Sequence, residues 1–136
     1  MDFLKLPQVL DGNCRLTEAQ ALPIAQELER LGFVWFEEPI PFENAGVMSQ
    51  LQRDLSVPIA TGERIITKWG FREVLEKQAA SILQPDICHV GGITEMRIVA
   101  GNAEAYYAGL APHGAEGIIS TAAAMHVMAA IPNFLI

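Results

Sequence analysis

Cysteine, basic residues and long apolar runs are all scarce in this chain. Cys14 and Cys88 are its only cysteines in 136 residues, and neither lies in a CxxC or other zinc-ligand spacing. A disulfide framework and a cysteine zinc centre are therefore excluded. With no signal peptide at the start, two free thiols point to a reducing, cytoplasmic setting. Nine Lys and Arg face sixteen Asp and Glu, giving a net charge of −7. That balance excludes a nucleic-acid partner, because binding to a phosphate backbone rests on clustered basic side chains. No apolar stretch approaches the roughly 18 residues of a membrane-spanning helix. Linkers and low-complexity segments are missing too, so residues 1–136 are expected to form a single domain.

What is present is core: 51% of the residues are hydrophobic. They fall into short apolar runs alternating with helical patterns. Thr17 reads as a helix N-cap, and Ala21, Leu22, Ile24, Ala25, Leu28 and Leu31 form a stripe that stops at Gly32. Phe33 to Phe36, Val57 to Thr61, Ser81 to Leu83 and Leu110 to Pro112 read as buried strands, with a first short strand near Gln8 to Leu10 and a last near Phe134 to Ile136. Helices are expected from Asn44 or Glu43, over about Thr67 to Lys77, about Thr94 to Ala108 and about Ser120 to Ala130. Regular alternation predicts a parallel, right-handed α/β arrangement, either a doubly wound sheet or part of a barrel. A complete (β/α)8 barrel takes roughly 200 to 250 residues.

The barrel is favoured by where the polar residues fall. Asp11, Glu37, Glu63, Asp86 and His113 each follow an apolar run, at intervals of 26, 26, 23 and 27 residues. Each interval is about one strand, one helix and two short loops. Carboxyl ends of successive parallel strands are where a barrel gathers its chemistry, whereas an open sheet concentrates it at one switch point. Any one of these acids alone is more often an ordinary loop residue; the regular series weighs against that. Asp11, Glu37 and Glu63 make a hard-oxygen set suited to Mg²⁺. Pleat alternation selects Glu37 over Glu38, since Trp35 and Glu37 share a face. Asp86 and His113 come from the next two strand ends, where a carboxylate could orient an imidazole for proton transfer. Arg64 lies near the same mouth, as do Lys68 and His89, for which a solvated or supporting role is the simpler reading. Trp69 and Met96 read as core packing.

Asp11-Gly12-Asn13, Phe36-Glu37-Glu38-Pro39, Thr61-Gly62-Glu63, Gln84-Pro85-Asp86, Gly91-Gly92-Ile93-Thr94 and Pro112-His113 together resemble the barrel domain of the enolase superfamily, in its mandelate racemase subgroup. The resemblance runs from about Val9 to the end. It implies a partial TIM (β/α)8 barrel covering approximately strands three to eight. It also implies Mg²⁺ held by Asp11, Glu37 and Glu63, and an Asp86–His113 dyad that moves the proton next to a carboxylate. The substrate would be a small-molecule carboxylate, with Asn13 and Arg64 as its candidate contacts. Acid-sugar dehydration is the activity most members suggest; racemisation or epimerisation of a 2-hydroxy acid is the alternative. Relatives that use a lysine base near strand six are disfavoured, because Gln84 to Thr94 contains no lysine. Three family features have no counterpart: a second lysine base, a glutamate on strand eight and an N-terminal capping domain. The chain is therefore expected to be part of a longer enzyme that begins in an atypical Met1 to Pro7 segment. A fragment inactive without missing pieces is a third reading, and bare apolar faces suggest a homo-oligomer. Asn13 stands where the family's galactonate dehydratases carry a histidine.

Overall fold

The structure is a computed structural model that describes residues 7–136, so residues 1–6 of the expected atypical first segment lie outside the described residues. Five strands, β1 (Val9–Asp11), β2 (Trp35–Glu37), β3 (Ile59–Thr61), β4 (Ile82–Leu83) and β5 (Gly109–Leu110), lie side by side in chain order and pair in parallel throughout. Between and after them come α1 (Glu18–Leu31), α2 (Ala45–Asp54), α3 (Thr67–Glu76), α4 (Ile87–Val90), α5 (Gly92–Ala105) and α6 (Ile118–Met128).

The helices begin and end where local chemistry dictates. At the start of α1 the Thr17 N–H donates to Gln20 Oε1 at 3.0 Å, and the helix stops at Gly32 in the left-handed region. Asn44 caps α2 by accepting from the Val47 N–H at 3.3 Å. The buried stripe of α1 is Ala21, Ala25 and Leu28; Leu22 and Leu31, expected on it, are exposed. Those three residues are what α1 contributes to the buried core.

All the helices cover one face of the sheet. Phe36, Ile59, Leu83 and Leu110 point to that side and share one core with Met48 and Leu51 of α2, Phe71 and Val74 of α3, Met96 and Val99 of α5, and Val127 of α6. The opposite face carries a separate cluster of Trp35, Ala60, Ile82 and Ala111, with no helix residue in it. A doubly wound sheet would reverse its strand order and place helices on both faces. Sequential order with helices on one side only is the wall of a (β/α) barrel, and the second cluster lines its lumen. Burying roughly 25 cal/mol per Å² of apolar area on the helix-facing side is what holds the wall together.

Two expected elements change as well. Ile87–Val90 forms a short helix of its own ahead of Gly91, and the long helix starts at Gly92. Phe134 makes only an isolated parallel bridge to Leu110, fastened by the Leu110 N–H to Asn133 O and the Leu135 N–H to Leu110 O, both at 2.8 Å.

Candidate active site at the carboxyl ends of the strands

Strand register sets the first two acids side by side. Asp11 and Glu37 are direct partners across β1 and β2, and Glu37 pairs with Ala60 of β3, a residue of the lumen cluster. The side chains of both acids therefore belong to the lumen face, as alternation predicts for Glu37. Trp35, two residues back on the same face, donates its indole N–H to Glu37 Oε2 at 3.2 Å. Asp11 Oδ1 accepts the Asn13 N–H at 2.7 Å, which folds the loop after β1 into a tight turn. Gly12 is required in that turn, because a Cβ there would lie 2.9 Å from both Glu38 O and Pro39 Cα.

Glu63 follows Gly62 at the end of β3. Its Oε1 lies 3.0 Å from Arg64 Nη2 and its Oε2 lies 3.2 Å from His113 Nε2. Burial, then the negative charge of Glu38, with a smaller contribution from Asp11, raises its carboxyl above the ordinary glutamate value. The His89 ring Nδ1 meets the Glu63 carbonyl oxygen at 2.9 Å and so braces the same loop. That bond favours the protonated imidazole and raises the His89 pKa.

The imidazole of His113 joins two strand ends. Its Nδ1 lies 2.9 Å from Asp86 Oδ2. Asp86 is fully buried, and its Oδ1 accepts the Cys88 N–H at 2.8 Å as the cap of α4. One carboxylate thus does two jobs: it starts a helix and fixes a ring. A carboxylate in this position draws the ring proton onto Nδ1 and leaves Nε2 for proton exchange.

The residue whose importance sequence reasoning missed is Glu38. It is fully buried. Its Oε1 accepts from Thr61 Oγ1 at 3.1 Å and the Gly62 N–H at 3.3 Å, and its Oε2 accepts from Cys14 Sγ at 2.8 Å and Arg64 Nη1 at 2.7 Å. Burial and, after it, the Glu38 carboxylate push the Cys14 thiol up to about 12. The sequence signal was available: two adjacent acids at a strand end cannot both face the lumen, and the second must find donors inside the wall. The two candidate substrate contacts belong to this network. Arg64 holds Glu38 and Glu63, and its Nη2 also donates to Asn13 Oδ1 at 3.1 Å. Trp69, expected in the core, is 65% exposed beside Lys68, whereas Met96 is fully buried.

Among the described residues no three His, Cys, Asp or Glu side chains converge as the ligands of one ion would. The donors nonetheless suit a hard divalent cation in kind. All three are carboxylates from adjacent strand ends, and the charges of Asp11 and Glu38 already disfavour ionised Glu63, a repulsion that a cation would offset. No helix among the described residues is long and apolar enough to cross a membrane.

The family described as enolase C-terminal domain-like matches residues 5–136. A D-xylonate dehydratase of Haloferax volcanii is 40% identical over 125 residues, 92% of this chain and 30% of that protein. A D-galactonate dehydratase of Cronobacter sakazakii is 42% identical over 118 residues, 87% of this chain and 31% of that protein. The crystal structure of a mandelate racemase/muconate lactonizing enzyme-like protein from Roseovarius sp. TM1035 superposes with a TM-score of 0.88 at 45% identity, covering 90% of this chain and 31% of that one. The chain thus spans about a third of the length of these relatives. On the strength of a family match along nearly all of it, the chain belongs to the enolase superfamily of enzymes, in the mandelate racemase group, and forms part of its C-terminal barrel domain.

Proposed function

We propose that the chain carries the ion-binding and proton-transfer residues of a Mg²⁺-dependent sugar-acid dehydratase. The observation that carries this reading is the placement of His113. Its Nδ1 is held by a buried carboxylate at 2.9 Å while its Nε2 faces the acidic rim at Glu63, 3.2 Å away. The two dehydratase relatives add the substrate class: their names specify sugar acids.

In this reading Asp11, Glu37 and Glu63 hold the ion. Bound there, Mg²⁺ would supply a positive charge against the negative charge that develops on a substrate carboxylate as the neighbouring C–H bond breaks. His113 Nε2 takes the proton from the carbon next to the carboxylate, and the electron pair of that bond forms a carbon–carbon double bond as the adjacent C–OH bond breaks. The proton and the hydroxyl leave as water, and the resulting enol becomes a 2-keto acid. Asp86 keeps Nε2 aimed at the rim and balances the imidazolium while it carries the proton. Ala60 and Ile82 give the lumen face behind the site an apolar lining.

The test is calorimetric titration of the chain with Mg²⁺. The wild type is expected to take up one ion, and Glu37→Gln to take up none over the same range. Equal uptake by both proteins refutes the assignment.

A further inference from the structure

We infer that Glu38 and Arg64 are positioning residues, which set the mutual placement of Asp11, Glu37 and Glu63 without holding the ion themselves. The inference rests on the ion-site reading above.

The Glu38 carboxylate is a junction between three loops. Its donors come from the loop after β1 (Cys14), from the end of β3 (Thr61 and Gly62) and from the loop beyond it (Arg64). Arg64 carries the junction outward. One arm lies on Glu38, while the other meets Glu63 Oε1 and Asn13 Oδ1, and the Asn13 N–H in turn holds Asp11 Oδ1. From Glu38, then, Glu37 is reached along the backbone, Glu63 through one guanidinium and Asp11 through that guanidinium and one turn.

Two features argue that this is more than a filled space. Burying a carboxylate is unfavourable unless every lone pair finds a donor, and an apolar side chain could fill the same volume at less cost. The backbone is strained around the junction as well: Asn13, Cys14 and Glu38 have φ values of +47°, +57° and +35°, a region that side chains other than glycine seldom adopt. Cys14 and Glu38 bond the loops after β1 and β2 directly, and Asn13 ties the first of these loops to Arg64. A second pair of backbone bonds, from the Gly12 N–H to Glu37 O and from the Cys14 N–H to Glu38 O, both 2.8 Å, locks the same two loops.

The experiment measures Mg²⁺ uptake by titration calorimetry in the wild type, Arg64→Lys and the double variant Glu38→Gln/Arg64→Gln. Circular dichroism and urea unfolding accompany each titration. Glu38→Gln alone is not decisive, since removing a negative charge near the rim weakens cation binding through space. Arg64→Lys keeps the charge and its partner for Glu38, so the fold is retained, but a single ammonium cannot span Glu38, Glu63 and Asn13 together. The double variant leaves the net charge unchanged and strands no buried ion. Both are expected to bind Mg²⁺ about tenfold or more weakly than the wild type, with native circular dichroism. Binding within about twofold of the wild type by either folded variant, while Glu37→Gln binds none, overturns the positioning role and leaves the ion site standing. No uptake by the wild type overturns the ion site and this inference with it.

Discussion

Replacing Asp86 separates its two roles. In Asp86→Ala the Cys88 N–H loses its cap acceptor, worth about 1 kcal/mol. His113 Nδ1 loses its carboxylate partner, and a hydrogen bond of that charge-assisted kind contributes about 1.5 to 3 kcal/mol. The variant should therefore be destabilised by about 3 kcal/mol, which at ordinary urea sensitivity lowers the unfolding midpoint by about 1 to 3 M. Asp86→Asn keeps an oxygen for the Cys88 N–H but turns an amide N–H towards Nδ1, so its midpoint should fall between the other two. The ring can accept that N–H only by moving its own proton to Nε2, the atom needed free for proton exchange. Ring ¹⁵N chemical shifts of His113 report the tautomer directly, with no substrate present. The wild type is expected to carry its proton on Nδ1 and Asp86→Asn on Nε2. An unchanged tautomer in Asp86→Asn, or an Asp86→Ala chain that unfolds at the wild-type urea concentration, refutes the dual role.

Other expectations are narrower. Gly62 has a φ of +141°, and a Cβ on it would lie 2.8 Å from Phe71 Cε1 and 3.0 Å from Gln84 N. Gly62→Ala should lose about 3 kcal/mol in urea unfolding, while Gly114→Ala, with nothing within 4 Å, stays within about 0.5 kcal/mol of the wild type. Glu63 keeps its proton to a higher pH when folded than when unfolded, so its stabilising contribution is full below the ordinary value of 4.5 and falls as pH rises through the folded value. Without metal, Glu63→Gln should therefore gain in urea midpoint on the wild type as pH rises across that window; a constant difference contradicts it. Because Cys14 is held protonated up to about 12 and Cys88 is exposed, alkylation of the folded chain followed by peptide mass mapping should find Cys88 modified and Cys14 intact.

Much of the fold was legible because the signals are local. Thr17 and Gly32 bracket α1, Asn44 opens α2, and each short apolar run supplies a strand that the helix-side core then buries. Where the reading failed, packing chose among faces that spacing left open, or a local cap was read as something else. Ile87–Val90 directly follows Asp86, which reads as a strand-end acid rather than as a helix cap; the short helix forms because Asp86 turns its carboxylate onto the Cys88 N–H. Leu22 and Leu31 sit at helical spacing but off the narrow stripe that enters the core, which Ala21, Ala25 and Leu28 occupy. Trp69 shares α3 with Phe71, yet two helical positions apart means nearly opposite faces, and Phe71 holds the buried one.

The candidate site shows the same division more sharply at Glu37 and Glu38. Spacing identified the strand end and alternation identified which acid faces the lumen, both arguments that need only a few consecutive residues. What becomes of the other acid depends on donors 23, 24 and 26 residues away, which no local pattern contains. Alternation turns the Glu38 side chain away from the lumen and into the helix-side wall, where the left-handed backbone turn begins the loop and the carboxylate is fully buried. Without the Glu38 carboxylate the loops after β1, β2 and β3 would lose their common anchor. A strand end that places one carboxylate on the lumen and sinks its neighbour beneath it can hold charge on the rim without letting the loops spread apart under their mutual repulsion.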